Sequence, residues 1–173
     1  MTLLAALPAW NTLHPLVVRF PIALLLVAPL FVLLGTLWPG RTGLAFLGCA
    51  LILMGMGTAG TFVAQSTGEA ASRATLQTPA LTAMIDQHED LAEATGWVFL
   101  SLTAIFAAMC YGLVLLQKRG QFTIARYLPI IYVVLYTAGA VLLIQTAHRG
   151  GLVHQFGVHA TMPGGISSTA SLD

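Results

Sequence analysis

Four long apolar stretches separated by short polar ones dominate the chain: Leu16–Trp38, Gly43–Ala64, Leu91–Leu116 and Tyr127–Ala147. Crossing the hydrocarbon of a bilayer as a helix takes about 20 mostly apolar residues. Each stretch meets that length, and the acid Glu93 and the cations Arg19 and Arg149 stand near ends, not middles. The pattern predicts an all-α, integral membrane four-helix bundle. Its expected limits are a single four-helix transmembrane domain over residues 1–160 and a flexible C-terminal tail over 161–173, where Pro-Gly-Gly and Ser-Ser-Thr-Ala-Ser run together.

Within the blocks, Pro15 suits the first helical position and puts His14 at or beside the helix start. Pro21 and Pro29 should bend that helix, since neighbouring helices can satisfy the carbonyls they free. The second helix is rich in glycine. Gly55/Ala59 and Gly60/Ala64 carry the small-residue spacing that lets helices approach, and the same faces offer a flat space for a porphyrin or quinone ring. Ser66–Thr78 reads as a polar loop within a longer Gln65–Asp90 connection. Thr78-Pro79 then reads as an N-cap and first-turn proline, which would start the third helix well before its apolar block. Gly150-Gly151 reads as the stop of the fourth helix, with Val153–Val158 lying back across the helix ends.

Composition agrees: 57% of the 173 residues are hydrophobic and 8% charged, far below the quarter usual for a soluble domain. The leader Met1–Trp10 has no basic residue and the first block is too long for a signal core, so the first helix is expected to be retained. Cys49 and Cys110 sit inside apolar blocks, and no C-x-x-C-H is present, which excludes covalent c-type haem. No nucleotide, hydrolase or nucleic-acid motif is visible.

Charge orients the bundle. One side holds Arg41, Lys118, Arg119 and Arg126 and no acid, a balance of +4. The other holds Arg19, Arg73 and Arg149 against the six acids, a balance of −3, which restores the net +1. Lys and Arg excess marks the cytoplasmic side. Both termini are therefore expected outside a bacterial inner (cytoplasmic) membrane, on the periplasmic face.

That orientation places all five histidines outside: His14, His88, His148, His154 and His159. His14, His88 and His148 fall at matching helix ends, His154 is a conditional fourth, and His159 is expected to be solvated. A haem b needs two imidazoles on opposite faces, or one and an open position. Arg19 and Arg149 would meet its propionates. The same histidines with Glu89 and Asp90 would also suit copper or zinc, although His88-Glu89-Asp90 lacks a strong ligand spacing. A histidine at a membrane interface can also be only a polar cap, and Met54, Met56 and Met84 read as packing.

The string His14-Pro-Leu-Val-Val-Arg-Phe-Pro-Ile-Ala-Leu24 resembles the first helix of a bacterial family of four-helix membrane proteins known as a domain of unknown function, which typically reads His-Pro-x-x-Val-His-Phe-Pro-Ile-Ala-Leu. Thr58-Ala59, Gly68-Glu69-Ala70 and Gly150-Gly151-Leu152-Val153 are similar too. The resemblance covers roughly Leu13–Val158 and implies the fold and topology, but no activity. Arg19 stands where the family usually has a second histidine, His154 replaces a usual tyrosine, and Phe156 holds a position where histidine is common. Some relatives are joined to cytochrome c-like modules, which favours redox work. The leading expectation is a b-type, electron-transferring subunit that works with other membrane subunits or a periplasmic cytochrome. The alternatives are a cofactor-free accessory subunit of a respiratory or photosynthetic complex and a periplasm-facing metal-binding protein; a stand-alone enzyme is not expected.

Overall fold

The computed structural model describes residues 14–38, 40–74, 79–118 and 122–161, without the side chains of 74, 80, 117, 122–126, 154 and 156–161. The leader, the Thr78 cap, Arg119, the side chains of Arg126, His154, Phe156 and His159, and the tail from 162 lie outside the described residues. The chain forms a one-turn helix α1 (His14–Val17), then α2 (Arg19–Leu37), α3 (Arg41–Ala74), α4 (Pro79–Lys118) and α5 (Phe122–Thr161). Helix α1 and helix α2 together make one span, so four spans are long and apolar enough to cross a membrane. The expected all-α bundle of four membrane helices is what folds.

Helices meet as neighbours around a square: α2 with α3, α3 with α4, α4 with α5, and α5 back with α2. The span α1–α2 is therefore diagonal to α4, and α3 is diagonal to α5. Phe99, Phe106, Leu25, Met54 and Tyr136 fill the centre, each almost wholly buried. Phe99 meets Tyr136 edge-on at 5.4 Å, and Phe106 packs on Tyr132 at 4.7 Å.

Two prolines leave distinct marks on the first span. Proline has no N–H for the carbonyl four residues before it. Pro21 thus cannot bond Val17, and the helix is interrupted at Val18, between α1 and α2. Pro29 orphans the Leu25 carbonyl in the middle of the bundle. There the Tyr136 hydroxyl, from α5, donates to the Leu25 oxygen at 2.7 Å. An unsatisfied carbonyl has no water to turn to in the bilayer core. Tyr136→Phe should therefore destabilise the bundle by about 1–2 kcal/mol. Unfolding in mixed detergent should show this penalty shrink in a Pro29→Ala background, where the residue at 29 regains its own N–H. An equal penalty in both backgrounds would contradict the assignment.

Hydroxyls and an amide join the other helices. Thr58 and Thr103 pair at 2.9 Å across α3 and α4, and Thr95 and Thr146 at 2.8 Å across α4 and α5. Gln65 donates to the Ala92 carbonyl at 2.7 Å, and Tyr132 to the Leu102 carbonyl at 3.0 Å. Such bonds hold transmembrane helices together at about 0.6 kcal/mol apiece on average.

The glycine face of α3 is displaced from the expected one. Gly55 and Ala59 are exposed, whereas Gly57, Gly60 and Ala64 turn inward. A Cβ on Gly57 would come within 2.7 Å of Leu25, and one on Gly60 within 3.1 Å of Pro21. Close approach to the first span is thus the role of Gly57 and Gly60. The α2–α3 turn needs one left-handed residue, and Gly40 supplies it with φ 73°.

Three connections differ from expectation. Ser66–Ala74 continues α3 instead of forming a loop, and α4 begins at Pro79 as the Thr-Pro signal implies. The Gly150-Gly151 stop is overturned: α5 runs through both glycines to Thr161. A glycine stop needs a left-handed backbone, and neither of these glycines has a positive φ. Val153–Val158 accordingly extends the helix and does not fold back across its end.

Helix α3 has 34 residues and α4 and α5 have 40 each. At about 1.5 Å per residue these are roughly 50 and 60 Å long, against about 30 Å of hydrocarbon. The exposed indole of Trp97 fits an interfacial belt, and from there to Lys118 α4 rises roughly 30 Å. The first part of α4, with His88, therefore projects beyond the hydrocarbon as part of a helical crown.

Candidate functional site at one mouth of the bundle

His14 opens the first span at the crown. Its Nδ1 lies 3.0 Å from the Ala64 carbonyl and 3.1 Å from the Thr67 hydroxyl, both on α3. A carbonyl only accepts, so Nδ1 carries the proton and the lone pair of the neutral ring is on Nε2. The Thr67 hydroxyl gives its own hydrogen to the same Ala64 carbonyl at 2.9 Å, which leaves its oxygen to receive the imidazole. The ring lies over Gly68, where a Cβ would stand 3.0 Å from its Cε1.

His88 comes from α4, diagonally across the mouth. It lies beside the Thr146 backbone on α5, and it is close enough to His14 for their charges to act on each other. Its Nδ1 is buried with no hydrogen-bond partner, alone in that respect among the described side chains. This ring also rests on a glycine: a Cβ at Gly150 would meet its Cε1 at 2.8 Å. Below it the Thr95–Thr146 hydroxyl pair fixes α4 against α5.

The two imidazoles thus share an organisation. They come from one diagonal of the square, and each lies against a glycine of the other diagonal; His14 is further held by hydrogen bonds to α3. Thr146→Val, which removes the hydroxyl paired with Thr95, should lower the thermal midpoint by a few degrees. An unchanged midpoint in a thermal-unfolding scan would show that the hydroxyl pair does not hold α4 against α5.

The other expected site residues are not brought to this pair. His148 lies two residues from both Thr146 and Gly150, on the opposite face of α5 at about 100° per residue, and is exposed. With α5 continuing to Thr161, it is not at a helix end at all. Arg19 is exposed beyond the Val18 interruption. Arg149, also exposed, holds Gln87 of α4 through a 3.3 Å bond, one position from His88. The His154 side chain lies outside the described residues. Around the mouth Asp86, Asp90 and Glu93 are exposed, Glu93 beside the Trp97 indole at 3.4 Å and Glu69 paired with Arg73 on the surface at 3.4 Å. Among the described residues no group of three or more His, Cys, Asp or Glu side chains is gathered as a metal site.

The sequence reading missed Gly68 and Gly150 as seats for rings, and Ala64 and Thr67 as the anchors of His14. One signal was available: Gly57, Thr61, Ala64 and Gly68 recur at intervals of three or four, which continues the inward stripe of α3 past the apolar block.

Fold and site together define a multi-pass, all-helical membrane protein with a pair of anchored imidazoles in one mouth. The chain belongs to the family described as "Predicted membrane protein (DUF2231)", whose model matches residues 11–162. No curated protein and no solved structure matches the chain.

Proposed function

We propose that this protein is a b-type cytochrome-like subunit that holds a haem between the first span and α4 and passes electrons at the outer face of the inner membrane. The observation that carries this reading is the crossed arrangement of His14 and His88 on one diagonal and Gly68 and Gly150 on the other. Neighbouring helices pack about 8–10 Å apart, which makes the diagonal roughly 13 Å. That separation suits a flat macrocycle with an imidazole on one or both faces. Both remaining helices present a glycine at that level, each covered by an imidazole, so the rings would have to swing off these seats to admit the disc. Their nitrogens are the donors that suit the group. His14 has the tautomer that offers Nε2, its Nδ1–H being held by a carbonyl in the manner of a ligating histidine. Arg149 stands at the rim for a propionate, whereas Arg19, on the outer surface, is less well placed. A bound haem would supply one-electron chemistry; the chain supplies the ligand, its orientation and a half-buried setting.

The orientation follows from the charge asymmetry, with the imidazole mouth and both termini outside. Partners would be other membrane subunits or a soluble cytochrome that meets the crown. Extraction and quantification of porphyrin from the purified, membrane-expressed protein is the test. About one haem b per chain is expected, and a protein free of porphyrin after expression with ample haem supply contradicts the reading.

A bare copper or zinc ion is the second reading. The buried and unpartnered Nδ1 of His88 favours it, because either imidazole nitrogen can bind an ion that has no macrocycle around it. Metal analysis after loading with each ion and gel filtration distinguishes the two. Stoichiometric retention that disappears in His88→Ala would support an ion, and retention of neither would remove it.

A further inference from the structure

The walls of the mouth are not equally rigid. Pro21 has no N–H for the Val17 carbonyl. The next rung, from the Ile22 N–H to the Val18 carbonyl, is stretched to 3.5 Å, against 3.0 Å for the Val18–His14 bond that closes α1. Amide–carbonyl bonds cluster near about 2.9–3.0 Å, so two consecutive rungs between α1 and α2 are missing or weak. Beyond α2, its own continuation, the α1 backbone approaches α3 but not α4 or α5, whereas α2 packs on both α3 and α5. The His14 imidazole fastens α1 to α3 through the Ala64 carbonyl and the Thr67 hydroxyl. Across the mouth, His88 stands inside the 40-residue helix α4, with no break beside it.

We propose that α1 is a latch: it pivots at Val18–Pro21, His14 fastens it to α3, and its release opens the mouth from the side of the first span. The pivot itself is fixed, because Pro21 is buried against Gly60, where a Cβ would stand 3.1 Å from its own. Four residues at about 1.5 Å each make a lever of roughly 6 Å. Its swing carries the His14 ring off Gly68 and uncovers the Ala64 carbonyl and the Thr67 hydroxyl. The packed centre around Leu25, Phe99 and Tyr136 lies below the pivot and stays closed. Access to the mouth is thus set by one short segment and not by parting of the bundle. The latch goes beyond the haem reading and does not rest on it, since it would admit a bare ion by the same movement.

Double electron–electron resonance on the full chain in lipid nanodiscs, with no haem or metal added, tests this. In a Cys49→Ala, Cys110→Ala background, spin labels go to exposed positions: Leu16 on α1 or Ala23 on α2, each paired with Ala94 on α4. The Leu16–Ala94 pair should show a second, longer population shifted by several ångströms, and the Ala23–Ala94 pair a single narrow one. Pro21→Ala restores the missing rung and keeps the Cβ that faces Gly60, so the longer population should shrink. Thr67→Val removes one acceptor of His14 and should raise the open-to-closed ratio about fivefold, as loss of one hydrogen bond implies. A Leu16 pair as narrow as the Ala23 pair, or a longer population indifferent to both substitutions, would overturn the latch. Porphyrin extraction stands apart from all of these readouts, so the latch and the haem reading fail separately.

Discussion

His14→Ala should yield a folded protein that carries no haem above background. His14 offers the nitrogen suited to iron, and two acceptors on α3 hold its ring at 3.0 and 3.1 Å. Losing it removes the anchor as well as the ligand. The bundle itself should survive, because His14 lies in a one-turn segment ahead of the Val18 interruption, away from the centre built by Leu25, Phe99, Phe106 and Tyr136. Far-ultraviolet circular dichroism and gel filtration would match wild type while the haem-to-chain ratio collapses. A His14→Ala protein that keeps a wild-type ratio would show that the ligand lies elsewhere, His154 being the next residue to examine.

The second large effect belongs to residues without side chains. Gly68→Val and Gly150→Val each place atoms where an imidazole now rests, since even a Cβ would come to 3.0 Å and 2.8 Å of the two rings. Overpacking of this kind costs about 1–3 kcal/mol, and 1.4 kcal/mol is about a factor of ten in affinity. Haem occupancy at limiting supply should fall on the order of tenfold in either variant. The exposed control Gly55→Val, where nothing lies within 4 Å, should bind as wild type does. Equal occupancy in all three would mean that the glycine seats do not shape the site.

The fold was legible because its signal is long and one-dimensional. Four apolar blocks give four spans whatever the details of packing, and a proline after threonine marks the start of α4. The site was only half legible. Sidedness follows from counting helix crossings, so His14 and His88 share a mouth by topology alone. What periodicity without a boundary cannot give is phase. Reading Gly150-Gly151 as a stop placed His148 at a helix end, where a histidine is free to turn inward. In the continuous α5, Thr146 and Gly150 share a face and His148 points away from it. The error arose because glycine terminates helices where a left-handed residue satisfies the last carbonyls; within a packed pair it serves equally to admit a neighbouring ring. The His14 tautomer could not be read from sequence at all. It depends on which carbonyl of a neighbouring helix falls beside the ring, and that is set by the packing of α3 on α1.

Pro29 and Tyr136 show the same limit. The proline announces an orphaned carbonyl at Leu25, but only the bundle brings the hydroxyl that answers it from more than a hundred residues away.

The central claim is that His14 and His88 enclose a haem at the outer mouth, and the reduced-minus-oxidised absorbance spectrum of the purified protein tests it most directly. The account predicts a Soret band and visible bands that change on dithionite reduction, present in the wild type and absent from His14→Ala. A featureless difference spectrum from fully folded, haem-supplied wild-type protein would contradict it.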